Sequence, residues 1–192
     1  MKQDTRQAIL DAAAPLIHSQ GFHRTGLKEI LDAAGVPKGS FYFYFKSKED
    51  FGLALIDHYA EAMRALSAGV LARADLAPLA RLDALFAELC GVMERRGCER
   101  GCPIGNLAQE VSDLSPAMRE RLSLAMDGFS RTVRALLDEA AGRGELPTGL
   151  DPAATSAFTV DAWEGAMLRA KTDKSPEALR RFRDFVFNRL FV

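Results

Sequence analysis

Apolar residues recur every three or four positions along nearly the whole chain, which is the period of an α-helix with one buried face. Ile9, Ala13 and Ile17 follow this spacing and predict a first helix over about residues 4–20. Gly21 comes next, at the position where a helix C-terminus favours glycine. The chain is therefore predicted to open with an amphipathic helix.

The helical period continues to the end of the chain, and the interruptions are glycine, proline and aspartate rather than strand-like alternation. The further predicted helices cover about residues 27–34, 37–45, 47–70, 79–97, 103–113, 115–142, 151–171 and 175–190. The pattern contains neither a convincing strand nor an internal repeat. The sequence therefore predicts an all-α fold with about nine helices.

The third predicted helix is unusually short and aromatic. Gly35 suits the turn before it, because glycine adopts backbone angles that are closed to most residues. Isolated helices shorter than roughly 12–15 residues are marginal in water, so this one needs packing from its neighbours. Phe41 and Phe45 are four residues apart and are predicted to face inward together. Tyr42, Phe43 and Tyr44 are left pointing partly outward.

Charge is informative only locally. The net charge of −1 does not indicate nucleic-acid binding, but residues 36–48 contain Lys38, Lys46 and Lys48 and no acid. Affinity for phosphate depends on such a local patch. Lysine charge and tyrosine hydroxyls suit a sugar-phosphate backbone and base edges. We therefore interpret the third helix as the recognition helix of a helix-turn-helix. Duplex DNA is favoured over single strands, since no repeated stacking platform is present.

An ordered set of residues near the N-terminus resembles the N-terminal domain of TetR-type transcriptional regulators over about residues 4–50. The resemblance is carried by Thr5, Ile9–Ala13, Gly21–Phe22, Thr25, Ile30, Ala33–Val36, Gly39–Tyr42 and Phe45–Glu49. It implies a three-helix DNA-binding domain at 1–50 and a helical effector-sensing and dimerisation domain at 51–192. It also implies a homodimer formed through the last two long helices, a near-palindromic operator, and a repressor released by a small-molecule or electrophile signal.

Eight residues are the candidate DNA contacts. They are Thr25, Lys38, Gly39, Ser40, Tyr42, Phe43, Tyr44 and Lys48. The small Gly39 and Ser40 permit close approach to DNA, and Tyr42 is the leading candidate for a direct contact. Lys48 lies in the first turn of the fourth helix, where exposed amides and an ammonium suit a phosphate. Thr25 is expected to cap the second helix and to contact a phosphate with the same hydroxyl. Many members of the family carry a histidine near Phe43, and this chain departs from them there.

The second candidate site is Cys102, which precedes Pro103. Proline is well placed as the first residue of a helix, and the positive end of a helix lowers the pKa of a nearby thiol. Residues 101–107 also resemble a Gly-Cys-x-x-Gly-Asn segment in NemR-type repressors, and that resemblance implies sensing of electrophiles through Cys102. As an alternative, Cys102 acts only as a small buried apolar residue, as cysteine often does. A disulfide between Cys98 and Cys102 under oxidising stress is a further alternative. Cys90 is expected in the core.

A non-covalent effector is an equal alternative as the trigger. Six residues on the central helices can line an apolar pocket for it, although each is individually more typical of a core. They are Phe86, Met93, Met126, Phe129, Trp163 and Met167. Trp163 is the most informative of them, because its N–H can donate to a ligand.

Other classes of protein are less compatible with the sequence. No run of 18 apolar residues predicts a membrane span, and the N-terminus has no apolar signal core, so we expect a cytoplasmic protein. The odd number of cysteines, three, suits a reducing compartment. We expect no metal, cofactor or enzymatic activity, because no ligand spacing, catalytic pair or phosphate loop is present. A helical ligand-binding or adaptor protein without DNA binding is the alternative.

Overall fold

The computed structural model describes residues 2–192, and the side chains of all of these except residues 2–4 and 38. The helices are α1 (Lys2–Gln20), α2 (Leu27–Ala33), α3 (Phe41–Tyr44), α4 (Lys48–Leu71), α5 (Pro78–Arg95), α6 (Pro103–Val111), α7 (Pro116–Gly142), α8 (Pro152–Asp173) and α9 (Glu177–Phe185). A 3₁₀ turn, Lys38–Ser40, precedes α3, and a π-helical turn, Val186–Leu190, follows α9. Residues 2–192 contain no strand. The predicted all-α class is confirmed.

The helix ends follow local chemistry. Gly21 and Gly35 have φ angles of +94° and +64°, in the left-handed region that glycine tolerates. The Asp151 carboxylate accepts a hydrogen bond of 2.7 Å from the amide of Ala154 and so caps α8. The Ser47 hydroxyl accepts a hydrogen bond of 3.0 Å from the amide of Asp50 at the start of α4. These boundaries are therefore encoded in the neighbouring residues.

The described chain divides into two compact units. The first comprises the chain up to Ala62 together with Pro103–Ala125, and the second comprises Met63–Cys102 together with Met126–Val192. The first unit thus extends past the predicted boundary at residue 50. The physical reason is burial, since side chains from α4, α6 and α7 complete the core of the first three helices. These side chains are Phe51, Leu55, Ile56, Leu107, Val111, Met118 and Leu122.

One close contact in the first unit is possible because Gly52 has no side chain. A Cβ atom built on Gly52 of α4 would lie 2.7 Å from Met118 Cε and 2.9 Å from Phe22 Cζ. Both distances are shorter than ordinary van der Waals contact. Glycine at position 52 therefore allows Met118 of α7 and Phe22 of the α1–α2 turn to pack closely against α4.

The second unit has an aromatic core. The Phe86 and Trp163 ring centroids are 5.2 Å apart, and each ring also packs on Phe182, at 5.0 Å and 5.3 Å. At its surface, α5 and α9 are joined by an ion pair of 2.6 Å between Asp83 and Arg183. No helix of residues 2–192 is both long enough and apolar enough to span a bilayer.

Candidate nucleic-acid interface and sensor segment

The short helix α3 is fixed by aromatic packing on its inner side. Phe41 and Phe45 are each 1% exposed. Their ring centroids lie 5.7 Å and 5.1 Å from that of Phe51 in α4. The prediction that both side chains face inward is confirmed. A helix of four residues thus obtains from α4 the packing that it cannot supply itself.

The outer side of α3 carries aromatic rings and small polar groups. Tyr42 and Phe43 are 69% and 62% exposed. Tyr44 is half-buried, and its ring centroid lies 5.2 Å from that of Phe43. Ser40 is half-buried, and nothing lies within 4 Å of a Cβ atom built on the exposed Gly39. The side chain of Lys38 falls outside the described residues. The outer side of α3 thus presents the Tyr42 and Phe43 rings at the protein surface.

The Lys48 ammonium is engaged within the first unit. It donates hydrogen bonds to the backbone carbonyls of His23 at 3.2 Å and Thr25 at 3.0 Å. It also lies 5.1 Å from the ring centroid of Phe22. Burial lowers the pKa of Lys48, and the negative charge of Glu110 partly offsets this effect. An ammonium has three donors, so one remains for the phosphate contact that the sequence predicts.

Thr25 does not have the role that the sequence suggested. Its side chain is completely buried, and its hydroxyl donates a hydrogen bond of 2.6 Å to the carbonyl of Gly21. The N-cap of α2 is Gly26, which makes no side-chain capping bond. The expected cap is therefore wrong. The hydroxyl instead closes the turn between α1 and α2, because that turn brings the Gly21 carbonyl within its reach.

Glu110 of α6 is a site residue that the sequence reasoning missed. Its Oε2 accepts a hydrogen bond of 2.8 Å from the amide of Phe22, and its Oε1 accepts one of 2.7 Å from the amide of His23. The His23 ring Nδ1 lies 3.1 Å from the same Oε1. Burial opposes ionisation, but the hydrogen bonds from His23 and Phe22 outweigh it and hold the pKa of Glu110 below its usual value. No local pattern signals a contact across 88 residues.

Cys102 directly precedes Pro103, the first residue of α6, and is 9% exposed. It forms a side-chain hydrogen bond with Glu164 of α8, and burial raises the pKa of that carboxyl group. Cys102 is thus paired with a buried carboxyl group within the second unit. All three cysteines are free thiols.

The other two cysteines have a different environment. Cys90 and Cys98 are 7% and 2% exposed, so Cys90 lies in the core as predicted. Burial raises the pKa of Cys90 to about 11, although Arg183 opposes the shift, and burial also raises the pKa of Cys98. The described residues contain no cluster of His, Cys, Asp and Glu that would hold a metal ion.

The six predicted pocket residues lie on α5, α7 and α8 of the second unit. Phe86, Met93, Trp163 and Met167 are buried, and Met126 and Phe129 are half-buried. The Phe129 ring centroid lies 6.1 Å from that of Phe86, which also packs on Trp163. These aromatic side chains therefore form one cluster, while their role as ligand contacts stays a prediction.

Two family descriptions match this chain. Residues 9–55 match the family described as bacterial regulatory proteins of the tetR family. Residues 78–186, more than half of the chain, match the family described as tetracyclin repressor-like, C-terminal domain. The matches include the helix-turn-helix segment and most of the second unit.

Named relatives extend over nearly the full length. The transcriptional regulator AcuR of Cereibacter sphaeroides is 41% identical over 97% of this chain and 84% of that protein. The HTH-type transcriptional repressor NemR of Escherichia coli is 35% identical over 93% of this chain and 89% of its own. The crystal structure of the reduced form of E. coli NemR superposes with a TM-score of 0.88 and covers 96% of both chains. A crystal structure of a regulatory protein TetR from Rhodobacter sphaeroides also gives 0.88, at 40% identity, covering 97% of this chain and 98% of that one.

Proposed function

This chain belongs to the TetR family of bacterial transcriptional regulators, and we propose that it is a repressor whose operator is contacted by the outer side of α3. One observation carries the assignment. A four-residue helix buries Phe41 and Phe45 and leaves Tyr42 and Phe43 exposed, inside a segment that matches the family's DNA-binding domain. Similarity to the repressor NemR supports repression rather than activation.

The proposed contacts divide by chemistry. The Tyr42 hydroxyl, Ser40 and the amide of Gly39 suit phosphate oxygens and base edges, and Lys38 and the third Lys48 donor supply positive charge. The Phe43 ring suits an apolar base edge such as a thymine methyl group. Together with Tyr44, these are the side chains that we propose at the protein–DNA interface.

We further propose that the functional form is a homodimer. Large apolar side chains are exposed on the last two long helices, where the family resemblance implies pairing. They are Phe158 at 55%, Leu168 at 48% and Phe185 at 53% exposure. A two-fold dimer presents two copies of α3 to DNA, so the operator is expected to be near-palindromic.

The proposed signal is covalent modification of Cys102 by a soft electrophile. The Glu164 carboxylate takes the thiol proton, and a carbon–sulfur bond forms between the thiolate and the electrophilic carbon. With an activated alkene, the π-electron pair moves to the neighbouring carbon, which then takes a proton. The hydrogen bond between Cys102 and Glu164 favours this trigger over the Cys90 and Cys98 thiols, whose pKa values burial raises. A non-covalent ligand in the Phe86–Trp163 cluster is the second candidate.

Fluorescence anisotropy tests both parts of the proposal. The probe is a labelled duplex selected by the wild-type protein from a random pool, and the reagent is N-ethylmaleimide. We expect tight, salt-sensitive binding by the wild type, release by the reagent, and no release in Cys102→Ser. Release in both proteins would move the chemistry to Cys90 or Cys98. DNA binding that N-ethylmaleimide does not change would favour a non-covalent ligand as the signal. Failure of the wild-type protein to select any duplex would refute DNA recognition by α3.

A further inference from the structure

Both the amide groups and the carbonyl groups of the turn between α1 and α2 form hydrogen bonds with charged side chains. Its amide groups at Phe22 and His23 donate to the carboxylate of Glu110, at 2.8 Å and 2.7 Å. Its carbonyl groups at His23 and Thr25 accept from the Lys48 ammonium, at 3.2 Å and 3.0 Å. The acid belongs to α6 and the lysine to α4, so two separate helices fix one turn.

The approach of the carboxylate depends on Gly21. A Cβ atom built on Gly21 would lie 3.2 Å from Glu110 Oε2. The φ angle of +94° at Gly21 then turns the next two amide groups toward the same side. Two successive amides aimed at one carboxylate form a concave anion site. In this molecule the anion is supplied by the protein itself.

Electrostatic attraction between Glu110 and Lys48 further stabilises the α1–α2 turn. The charge of Glu110 favours the protonated form of Lys48. The ammonium also lies over the Phe22 ring, whose amide Glu110 binds. The ring of Phe22 is 4% exposed and packs in the core of the first unit. The turn is therefore fixed by charge on its backbone and by burial of its side chain.

The turn leads directly into the elements that contact DNA. Helix α2 begins at Leu27, two residues after Thr25. The end of α2 is linked to the α2–α3 turn by a hydrogen bond of 2.9 Å from the amide of Val36 to the carbonyl of Leu31. The α3 side of that turn is closed by a bond of 2.9 Å from the amide of Ser40 to the carbonyl of Pro37. A displacement of the first turn therefore alters the placement of α2 and, through it, of α3.

We propose that Glu110 is a positioning residue for operator recognition, acting through the backbone of Phe22 and His23. The proposal rests on the DNA binding of the proposed function and not on its Cys102 trigger. Glu110 itself lies on α6 and need not touch DNA. Its contribution is to hold the helix-turn-helix in the geometry that reads a sequence, so its loss affects specific binding more than non-specific binding.

The variant Glu110→Gln tests the proposal with little change in size. The amide side chain keeps one acceptor oxygen, but its NH₂ group faces one of the two backbone N–H donors. The matched control is Asp57→Asn, which removes the same charge from the same unit. Asp57 is exposed and accepts from Arg121 at 2.8 Å and 2.7 Å. If only the lost negative charge mattered, both variants would bind DNA more tightly than the wild type. If Glu110 positions the turn, Glu110→Gln binds DNA more weakly and Asp57→Asn does not.

The measurements are anisotropy with the selected duplex and with a random duplex, at a temperature where circular dichroism shows the proteins to be folded. We expect Glu110→Gln to bind the selected duplex about tenfold more weakly, with little change on the random duplex. The amide proton resonances of Phe22 and His23 should move upfield in the same variant. Asp57→Asn should keep the wild-type ratio of specific to non-specific affinity.

Two results would overturn the proposal. One is binding of the selected duplex by Glu110→Gln that is unchanged or tighter. The other is an equal loss on both duplexes, which would indicate a role in folding alone. If Glu110→Gln does not fold, Glu110→Asp retains the charge and withdraws it by one methylene, and a wild-type specificity ratio in that variant would overturn the proposal equally. Failure of the wild type to select any duplex would instead refute the proposed function.

Discussion

Replacing Gly52 by alanine should destabilise the first unit, although alanine is the better helix former. The added Cβ atom would lie 2.7 Å from Met118 Cε, 2.9 Å from Phe22 Cζ and 3.1 Å from Met118 Sδ. The methionine tip can rotate away. The Phe22 ring cannot, because it is 4% exposed and stacks on Phe51 with centroids 6.4 Å apart and an interplanar angle of 11°.

The magnitude follows from two opposing effects. Overpacking of a close-packed core costs about 1–3 kcal/mol. Glycine to alanine within a helix gains about 0.8–1.0 kcal/mol. We therefore expect Gly52→Ala to lower the free energy of unfolding by about 1 kcal/mol, and by more if the Phe22 ring has to move. Met118→Leu, which shortens the side chain, should restore part of the loss in the double variant.

Gly69→Ala provides a matched control in the same helix. Gly69 is exposed, and nothing lies within 4 Å of a Cβ atom built there, so only the gain in helix propensity applies. The assay is urea unfolding followed by circular dichroism at one fixed protein concentration, because association would shift the midpoint. The same substitution should thus change stability in opposite directions at the two positions. A Gly52→Ala variant as stable as the wild type, or more stable, would refute the packing argument.

Four further predictions concern DNA binding, thiol reactivity, the pH dependence of stability, and the coupling of Cys102 to Glu110. Tyr42→Phe, which removes one exposed hydroxyl, should weaken operator binding about tenfold in anisotropy, and unchanged affinity would exclude a hydrogen bond from that hydroxyl. Brief treatment with N-ethylmaleimide near pH 7.5 should label Cys102 before Cys90, whose pKa is raised to about 11; mass spectrometry showing the reverse order would contradict the sensor assignment. The pKa of Glu110 is depressed in the folded state, so its stabilising effect is complete above the usual carboxyl range and is lost as pH falls through the folded pKa. Glu110→Gln should therefore flatten the acid side of the stability–pH curve, and an identical acid side would argue against the amide bonds. Finally, N-ethylmaleimide should reduce operator affinity by a smaller factor in Glu110→Gln than in the wild type, and equal factors would show that the signal bypasses Glu110.

The parts of the fold that the sequence predicted are those determined by near neighbours. The 3.6-residue period located the helices, and the four-residue spacing of Phe41 and Phe45 identified the inner face of α3. The positive φ angle at Gly35 and the Asp151 cap likewise depend on residues within one turn. Local physics of this kind is visible in a sequence window of about 11–18 residues.

The candidate site was predicted less completely, because its polar groups are paired across long sequence separations. Lys48 was predicted to contact a phosphate, and nothing in the sequence indicated that two of its three donors bond carbonyls 23 and 25 residues earlier in the chain. Thr25 has the chemistry of a helix cap, but tertiary contacts bury its hydroxyl against Gly21. Neither outcome follows from residue type. The local preferences of a hydroxyl or an ammonium are the same whether or not the fold brings a hydrogen-bond partner to it from a distant part of the sequence.

The extent of the first unit bears directly on how regulation can reach DNA. Three links join its early helices to later segments: Glu110 to the α1–α2 turn, Glu49 to the Ser115 hydroxyl, and Asp57 to Arg121. Helix α6, which supplies Glu110, begins at the residue that follows Cys102. With a rise of 1.5 Å per residue, the carboxylate-bearing position lies only about 10 Å along the helix from that start. The proposed trigger, Cys102, therefore directly precedes the short helix whose Glu110 binds the α1–α2 turn. For the proposed control to be allosteric, modification of Cys102 has to change the free energy of the contact between Glu110 and the α1–α2 turn, which the N-ethylmaleimide experiment on Glu110→Gln measures.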